Sequence, residues 1–325
     1  TPALQNATEQ YNSGVWSNAP ATMTIARSEL GSSGTQTAAL AFGGFPTTGA
    51  TEEWVASEGG NTGTVGGTWS AAPSNMITPR QALAGAGTQA AALAFGGAAP
   101  GLSAATEEYS GGTWTSLGGS NMITPRSYLS GAGTQTAALA FAGSGPTGIT
   151  GSTEEYSSGA WTTAPSNMST PRAFASGAGT QTSALAFGGQ APAITSATEE
   201  YNSGIWSNAP ANMLIARYGH AGVGTQTAAL AFGGAAPSIT GATEQWITTG
   251  GTTGRVAGTW SAVPANMTTA RYSVAGAGTQ AAALAFGGRS TAPVLALANT
   301  EEYSGGTWSP SGPLGTPRQV LGAAG

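Results

Sequence analysis

The run GTQTAALAFGG begins at Gly34 and returns, with small changes, at Gly87, Gly133, Gly179, Gly224 and Gly278. Spacings of 45 to 54 residues between copies are those of a tandem array in which each unit is one supersecondary structure. A unit this short cannot bury both of its faces, so neighbouring units must cover one another. No other feature of the chain restricts its fold as much.

Aligning the copies gives a module that is clearest from Pro79 to Arg126: PRQALAGAG, TQAAALAFGG, ATEEYS, GGTWTSL and NMITPR. The pieces are strand-sized. AALAF sets Leu93 and Phe95 on one face and Ala92 and Ala94 on the other, the period-two pattern of a strand packed on both sides. Gly96 and Gly97 end it. TEEYSGGTW reads as a tight hairpin, with Gly111 and Gly112 supplying the positive φ of a two-residue turn. Pro79, Pro125, Pro171 and Pro317 punctuate the links between modules. Four short strands and no helix-period segment make each module a small antiparallel sheet, and radial stacking of such sheets buries their faces.

These residues resemble the kelch repeat: a Pro-Arg opening, a strand ending in Gly-Gly, then a Tyr and a Trp a few residues apart. Phe-Gly-Gly occurs at Phe42, Phe95, Phe187, Phe232 and Phe286, and Phe141 departs with Ala142-Gly143. Trp recurs at Trp16, Trp69, Trp114, Trp161, Trp206, Trp260 and Trp308; the Tyr sits at Tyr11, Tyr109, Tyr156, Tyr201 and Tyr303, with Trp54 and Trp246 replacing it in two copies. The resemblance covers the whole chain and implies an all-β, seven-bladed kelch-like β-propeller of four-stranded blades, forming one domain over 1–325. Its first strands would line the axis and its fourth strands lie outside. Gly- and Ala-rich first strands such as LAGAGT suit that crowding. The units run over about 27–79, 80–125, 126–171, 172–216, 217–270 and 271–317, with 1–26 and 318–325 forming the closing blade. That blade lacks its TQTAALAFGG strand. The expectation is that the chain is a fragment of a longer repeat protein; the alternatives are a strand donated by a neighbouring chain and six closed blades with overhanging ends.

The charges are narrow in kind. The chain has 14 Glu, 9 Arg, one His, and no Lys, Asp or Cys. Charged residues make up 7%, against roughly 25% in an ordinary domain, but 40% hydrophobic residues with periodic aromatics argue for a folded chain rather than a disordered one. A net charge of -5 without a basic run argues against nucleic acid as a partner. No stretch approaches the roughly 18 apolar residues of a membrane span.

Thr-Glu opens every hairpin, at Glu9, Glu52, Glu107, Glu154, Glu199, Glu244 and Glu301, and an Arg precedes every first strand, at Arg27, Arg80, Arg126, Arg172, Arg217, Arg271 and Arg318. Seven of each predicts a buried ion pair in every blade, bracing it against the next. Subtracting them leaves Glu29, Glu53, Glu58, Glu108, Glu155, Glu200 and Glu302 against Arg255 and Arg289, which accounts for the whole net charge.

Function is expected where the copies differ. Two hairpins are stretched, from Trp54 to Trp69 and from Trp246 to Trp260, and carry Glu58 and Arg255. The segments after Gly-Gly vary and are small, apolar and dotted with Thr and Ser, with Phe45 and Arg289 the large exceptions. In kelch-like propellers these segments share one face with the NMITPR links, and such a face suits a flat protein contact better than a deep pocket. Tyr128, Tyr218 and Tyr272 follow the Arg and face either the axis or that end.

Chemistry is poorly provided for. Galactose oxidase, which contains a kelch-like propeller, needs two His and a Tyr crosslinked to Cys; sialidase-like propellers use Asp. Neither inventory is present. His220 lacks a neighbouring Asp and reads as a core residue. GAGTQT misses the last Gly of a dinucleotide loop and precedes a strand. Metal ligands are scarce. The sequons at Asn6, Asn167 and Asn266 lie in repeated segments and read as chance. The expectation is therefore no catalytic residue, no cofactor and no metal. The reading is a noncatalytic structural or protein-interaction module acting through a protein partner or a homo-oligomer, with a multivalent glycan-binding propeller as the alternative. The repeats are also similar to those of virion-associated proteins of marine bacteriophages, which implies a virion or other extracellular surface.

Overall fold

The computed structural model describes residues 9–12, 15–18, 31–34, 38–44, 46–57, 66–249, 257–272, 274–286, 300–304 and 306–311. Among them there is no helix, and six four-stranded antiparallel sheets follow one another along the chain. Numbered in chain order, the sheets span 31–71, 84–116, 130–163, 176–208, 221–262 and 275–311. In sheet two the strands are Ala84–Gly87, Ala91–Phe95, Thr106–Ser110 and Thr113–Ser116, each paired to its predecessor. A two-stranded hairpin, Glu9–Asn12 with Val15–Asn18, precedes them. The rest of the expected closing blade, 1–8, 13–14, 19–26 and 318–325, lies outside the described residues.

The alternation in AALAF decides how sheets stack. Leu40 and Phe42 of sheet one pack on Ala92, Ala94, Tyr109 and Trp114 of sheet two, and Leu93 and Phe95 of sheet two pack on Ala138, Ala140, Tyr156 and Trp161 of sheet three. The large face of each second strand thus meets the alanine face of the next, which leaves room for the Tyr and Trp. The first strand of each sheet lies against the first strands of its neighbours. Gly131 shows why these strands are small: a Cβ there would come within 2.7 Å of the Phe95 ring and 2.9 Å of the Gly85 carbonyl oxygen.

The segments after Gly-Gly, read as loops from the sequence, are ordered ribbons. Ala98–Ala99 pairs with Gly101–Leu102, and equivalent ribbons span 144–149, 190–194 and 235–239. Single bridges join the ribbons to the incoming links: Gln81 to Ala98, Ser127 to Ser144, Ala173 to Gln190 and Tyr218 to Ala235. Ribbons and links therefore share one end of the sheets, here termed the link end.

Candidate interaction face

Among the described residues five Arg-Glu pairs are made, Arg80–Glu107, Arg126–Glu154, Arg172–Glu199, Arg217–Glu244 and Arg271–Glu301, at 2.6 to 3.1 Å and with every side chain no more than 2% exposed. Their placement differs from the expected brace between blades. Arg80 precedes the first strand of sheet two and Glu107 lies on its third, so the pair closes within one repeat. The carboxylate also accepts the N–H groups of Ile77 at 2.6 Å and Thr78 at 3.1 Å, and Arg80 donates to the carbonyls of Gly96 and Ala105. The pair therefore pins the incoming link to its own sheet. Burial pulls Arg80, Arg172 and Arg217 down to about 10, which leaves them charged at neutral pH. Glu52 is buried; Arg27, Arg318 and the Glu9 side chain lie outside the described residues.

Other repeated residues join one sheet to the next. Tyr109, Tyr156 and Tyr201 donate their hydroxyls to Glu53, Glu108 and Glu155 of the preceding sheet. These are carboxylates that the sequence alone leaves as surplus charge. Burial first, and then these carboxylates, push the three phenols above their ordinary range. Trp161 donates its indole N–H to Thr106 at 2.8 Å and sets its ring edge-on against Phe95. Gln135 and Gln181 reach back to carbonyls of the previous sheet, at Ala92 and Tyr109, and at Ala138 and Tyr156. That accounts for the TQ dipeptide. Asn167 and Asn266, the sequon residues, accept the N–H groups of Thr153 and Thr243 with their side chains.

With the repeated polar groups committed, the link end carries no exposed charge among the described residues: the five paired Arg, their Glu partners and His220 are all buried. It does carry seven of the nine exposed large apolar side chains, Ile77, Ile123, Phe174, Leu214 and Ile215 on links and Leu102 and Ile149 on ribbons. The other two, Ile205 and Ile247, lie on third-to-fourth-strand hairpins.

At its inner rim the second residue after each Arg is left-handed: Ala82 at φ 53°, Tyr128 at 51°, Phe174 at 54° and Gly219 at 59°. The turn serves a backbone ladder between sheets. Tyr128 N donates to Ala82 O at 3.0 Å, Phe174 N to Tyr128 O at 3.2 Å and Gly219 N to Phe174 O at 3.4 Å. Glycine adopts this conformation freely, whereas a bulky L-residue in it costs about 1 kcal/mol or more. Two of the four are nevertheless aromatic. The Tyr128 and Phe174 rings lie 4.3 Å apart between centroids, inclined by 31°, and Tyr218 meets Phe174 edge-on at 6.2 Å.

The structure thus brings Tyr128 and Tyr218 together and adds Phe174, which the sequence reading passed over. Its signal was present, since Phe174 and Phe45 are the two Phe outside the Gly-Gly strands. Tyr272 is half-buried on the link to sheet six. Phe45, Glu58, Arg255 and Arg289 lie outside the described residues. His220 is buried where Leu83, Leu129 and Val274 stand in other copies, against Phe187 with ring centroids 5.6 Å apart. Burial, reinforced by Arg217, holds it well below the ordinary imidazole range.

No protein-family model and no curated protein matches the chain. A solved structure described as "Structure of YjhT" superposes with a TM-score of 0.67 at 11% identity, covering 92% of this chain and 99% of that one. The fold is a β-propeller. At that identity the likeness reaches no further than the fold. Among the described residues no helix is long and apolar enough to cross a membrane.

Proposed function

We propose that this propeller is a noncatalytic protein-interaction module that binds through its link end. The observation carrying the reading is the distribution of side chains: the link end exposes no charge and most of the large apolar groups among the described residues. Interface cores have this composition, depleted of charge and enriched in aromatic and large apolar residues. Its ordered ribbons favour a preformed surface, for which binding costs little rearrangement. Against catalysis stands the commitment of eight described carboxylates: five are held by buried Arg and three by Tyr hydroxyls. A virion or other extracellular surface, as the repeats' resemblance implies, is the proposed setting.

A glycan-binding reading is kept because Phe174, 37% exposed beside Tyr128, offers an aromatic face. It is the weaker of the two, since the backbone carbonyls of Ala82, Tyr128 and Phe174 are occupied by the inter-sheet ladder.

Photo-crosslinking tests the choice of face. A photoreactive residue at Ile123 should yield a discrete crosslinked protein in the chain's native particle or surface extract, and one at Ser110, on a hairpin, should not. Crosslinking from Ser110 alone would overturn the assignment, as would a turnover activity retained after the link end is blocked.

A further inference from the structure

We infer that His220 is an acid-sensitive latch on the joint between sheets four and five: once the joint opens and the imidazole takes a proton, the incoming link of sheet five cannot close back onto sheet four. The latch does not depend on what the link end binds. Two observations carry it, the burial of an unbonded imidazole and the bonds that its segment makes across the joint.

The third residue after each of the five paired Arg is, in turn, Leu83, Leu129, Ala175, His220 and Val274. The position is a packing site. A Cβ on Gly96 would meet Leu129, one on Gly233 would meet Val274, and one on Gly188 would meet Cε1 of His220 at 2.4 Å. The His220 ring is buried beside Phe187, and neither of its nitrogens makes a hydrogen bond of normal geometry. A buried polar group without partners costs the fold stability that Leu in its place would not. Packing therefore does not account for a histidine here.

The same segment ties sheet five to sheet four. Gly189 N donates to Arg217 O at 2.8 Å, Gly219 N to Phe174 O at 3.4 Å, and the Ser176 hydroxyl to His220 O at 2.9 Å. Sheets three and four are joined by the equivalent bonds, Gly143 N to Arg172 O at 2.8 Å, Phe174 N to Tyr128 O at 3.2 Å and the Ser130 hydroxyl to Ala175 O at 2.7 Å, with Ala175 in place of His220. Burial is the first obstacle to a charge on the imidazole, and the charged groups facing it add to that: Arg217 on its own link, bonded to Glu244, and Arg172 on the link into sheet four, bonded to Glu199. The second strand of sheet four offers it only the Phe187 carbonyl. An imidazolium in the closed joint would therefore meet two guanidinium groups whose carboxylates are already committed. Opening exposes the ring to water, where a free nitrogen takes a proton below about pH 6.5. Closure requires that proton to leave. The joint is thus held shut at neutral pH and biased open in acid.

Amide hydrogen exchange of the full chain, read residue by residue and corrected for the intrinsic pH dependence of exchange, tests the latch. Between pH 7 and pH 5 protection at Gly189 and Gly219 should fall about 25-fold, the ratio set by a pKa of about 6.5 in the open joint. Gly143 and Phe174, at the joint between sheets three and four, should change by less than about threefold, since each joint opens on its own. Arg-Glu pairs flank both joints, so acid acting on them moves the two alike. His220→Leu installs the side chain already found at Leu83 and Leu129 and should abolish the difference. His220→Gln, polar but without a titrating proton, should abolish it too. Equal loss at both joints, no loss at either, or a loss at Gly189 and Gly219 that persists in both variants overturns the latch.

Discussion

Replacing Glu154 by Gln removes one charge and changes almost no volume, yet the geometry makes it costly. Oε1 accepts Arg126 Nη2 at 2.9 Å and Thr124 N at 3.1 Å, and Oε2 accepts Ile123 N at 2.6 Å. An amide has one acceptor oxygen. If that oxygen takes the Arg126 side, the NH2 faces the Ile123 N–H, donor against donor. If it turns the other way, the NH2 faces a buried guanidinium. Either orientation leaves Arg126, 0% exposed, without its countercharge, and breaking a buried pair in this way costs about 3 to 5 kcal/mol. At roughly 2.1 cal/mol/K of unfolding entropy per residue, a chain of 325 residues should lose about 4 to 7 °C of melting temperature. Calorimetry of Glu154→Gln beside Glu155→Gln makes the comparison clean: the two share a strand and lose the same charge. Glu155 accepts the Tyr201 hydroxyl, so its loss should cost about 1 to 2 kcal/mol. Equal shifts in both variants, or no shift in Glu154→Gln, would refute the claim that the pair pins the link.

Three further outcomes follow from the same geometry. His220 is held neutral, so below its unfolded pKa of about 6.5 the unfolded chain binds a proton that the native one does not; stability should then fall with pH by up to about 1.4 kcal/mol per unit, and urea midpoints of His220→Leu should lose that slope between pH 6.5 and 5. Gly131→Ala drives a methyl into Phe95 and the Gly85 carbonyl and should cost about 1 to 3 kcal/mol, read as a lower urea midpoint. Gln181→Ala leaves the carbonyls of Ala138 and Tyr156 without their side-chain donor and should cost about 1 kcal/mol, with faster amide exchange at the boundary between sheets three and four.

The strands were legible because their signals are local. Alternation in AALAF, Gly-Gly stops and Gly turns act over a few residues, and six repeats of them place the strands without any knowledge of the tertiary arrangement. The Arg-Glu column was legible by count. Its position was not: whether Glu107 answers Arg80 of its own repeat or the next Arg along depends on how the link crosses the sheet end. Glu53, Glu108 and Glu155 were left as surplus for the same reason, since their Tyr partners lie in the following repeat. The ribbons were missed because Ala-Ala and Gly-Leu carry no strand propensity; Ala98 is held by its bridge to Gln81 in the link. Phe174 was missed because a left-handed φ on a Phe cannot be read from composition.

That last residue separates scaffold from function. In this chain a repeated residue is explained once its partner is found, and Arg, both Glu of the hairpin, Tyr, Trp, Gln and Asn all have partners within the propeller. At the second position after the Arg the backbone requirement repeats and the side chain does not: Ala, Tyr, Phe and Gly share one conformation. Holding two bulky rings in it costs about 1 kcal/mol or more each, against which stand the partial burial of both rings and the roughly 0.5 to 1.5 kcal/mol that an aromatic pair returns beyond that burial. A Gly at either position would serve the ladder as well. A side chain that the backbone ladder does not require, at the inner rim of a face without exposed charge among the described residues, is where a binding role is most economically sought.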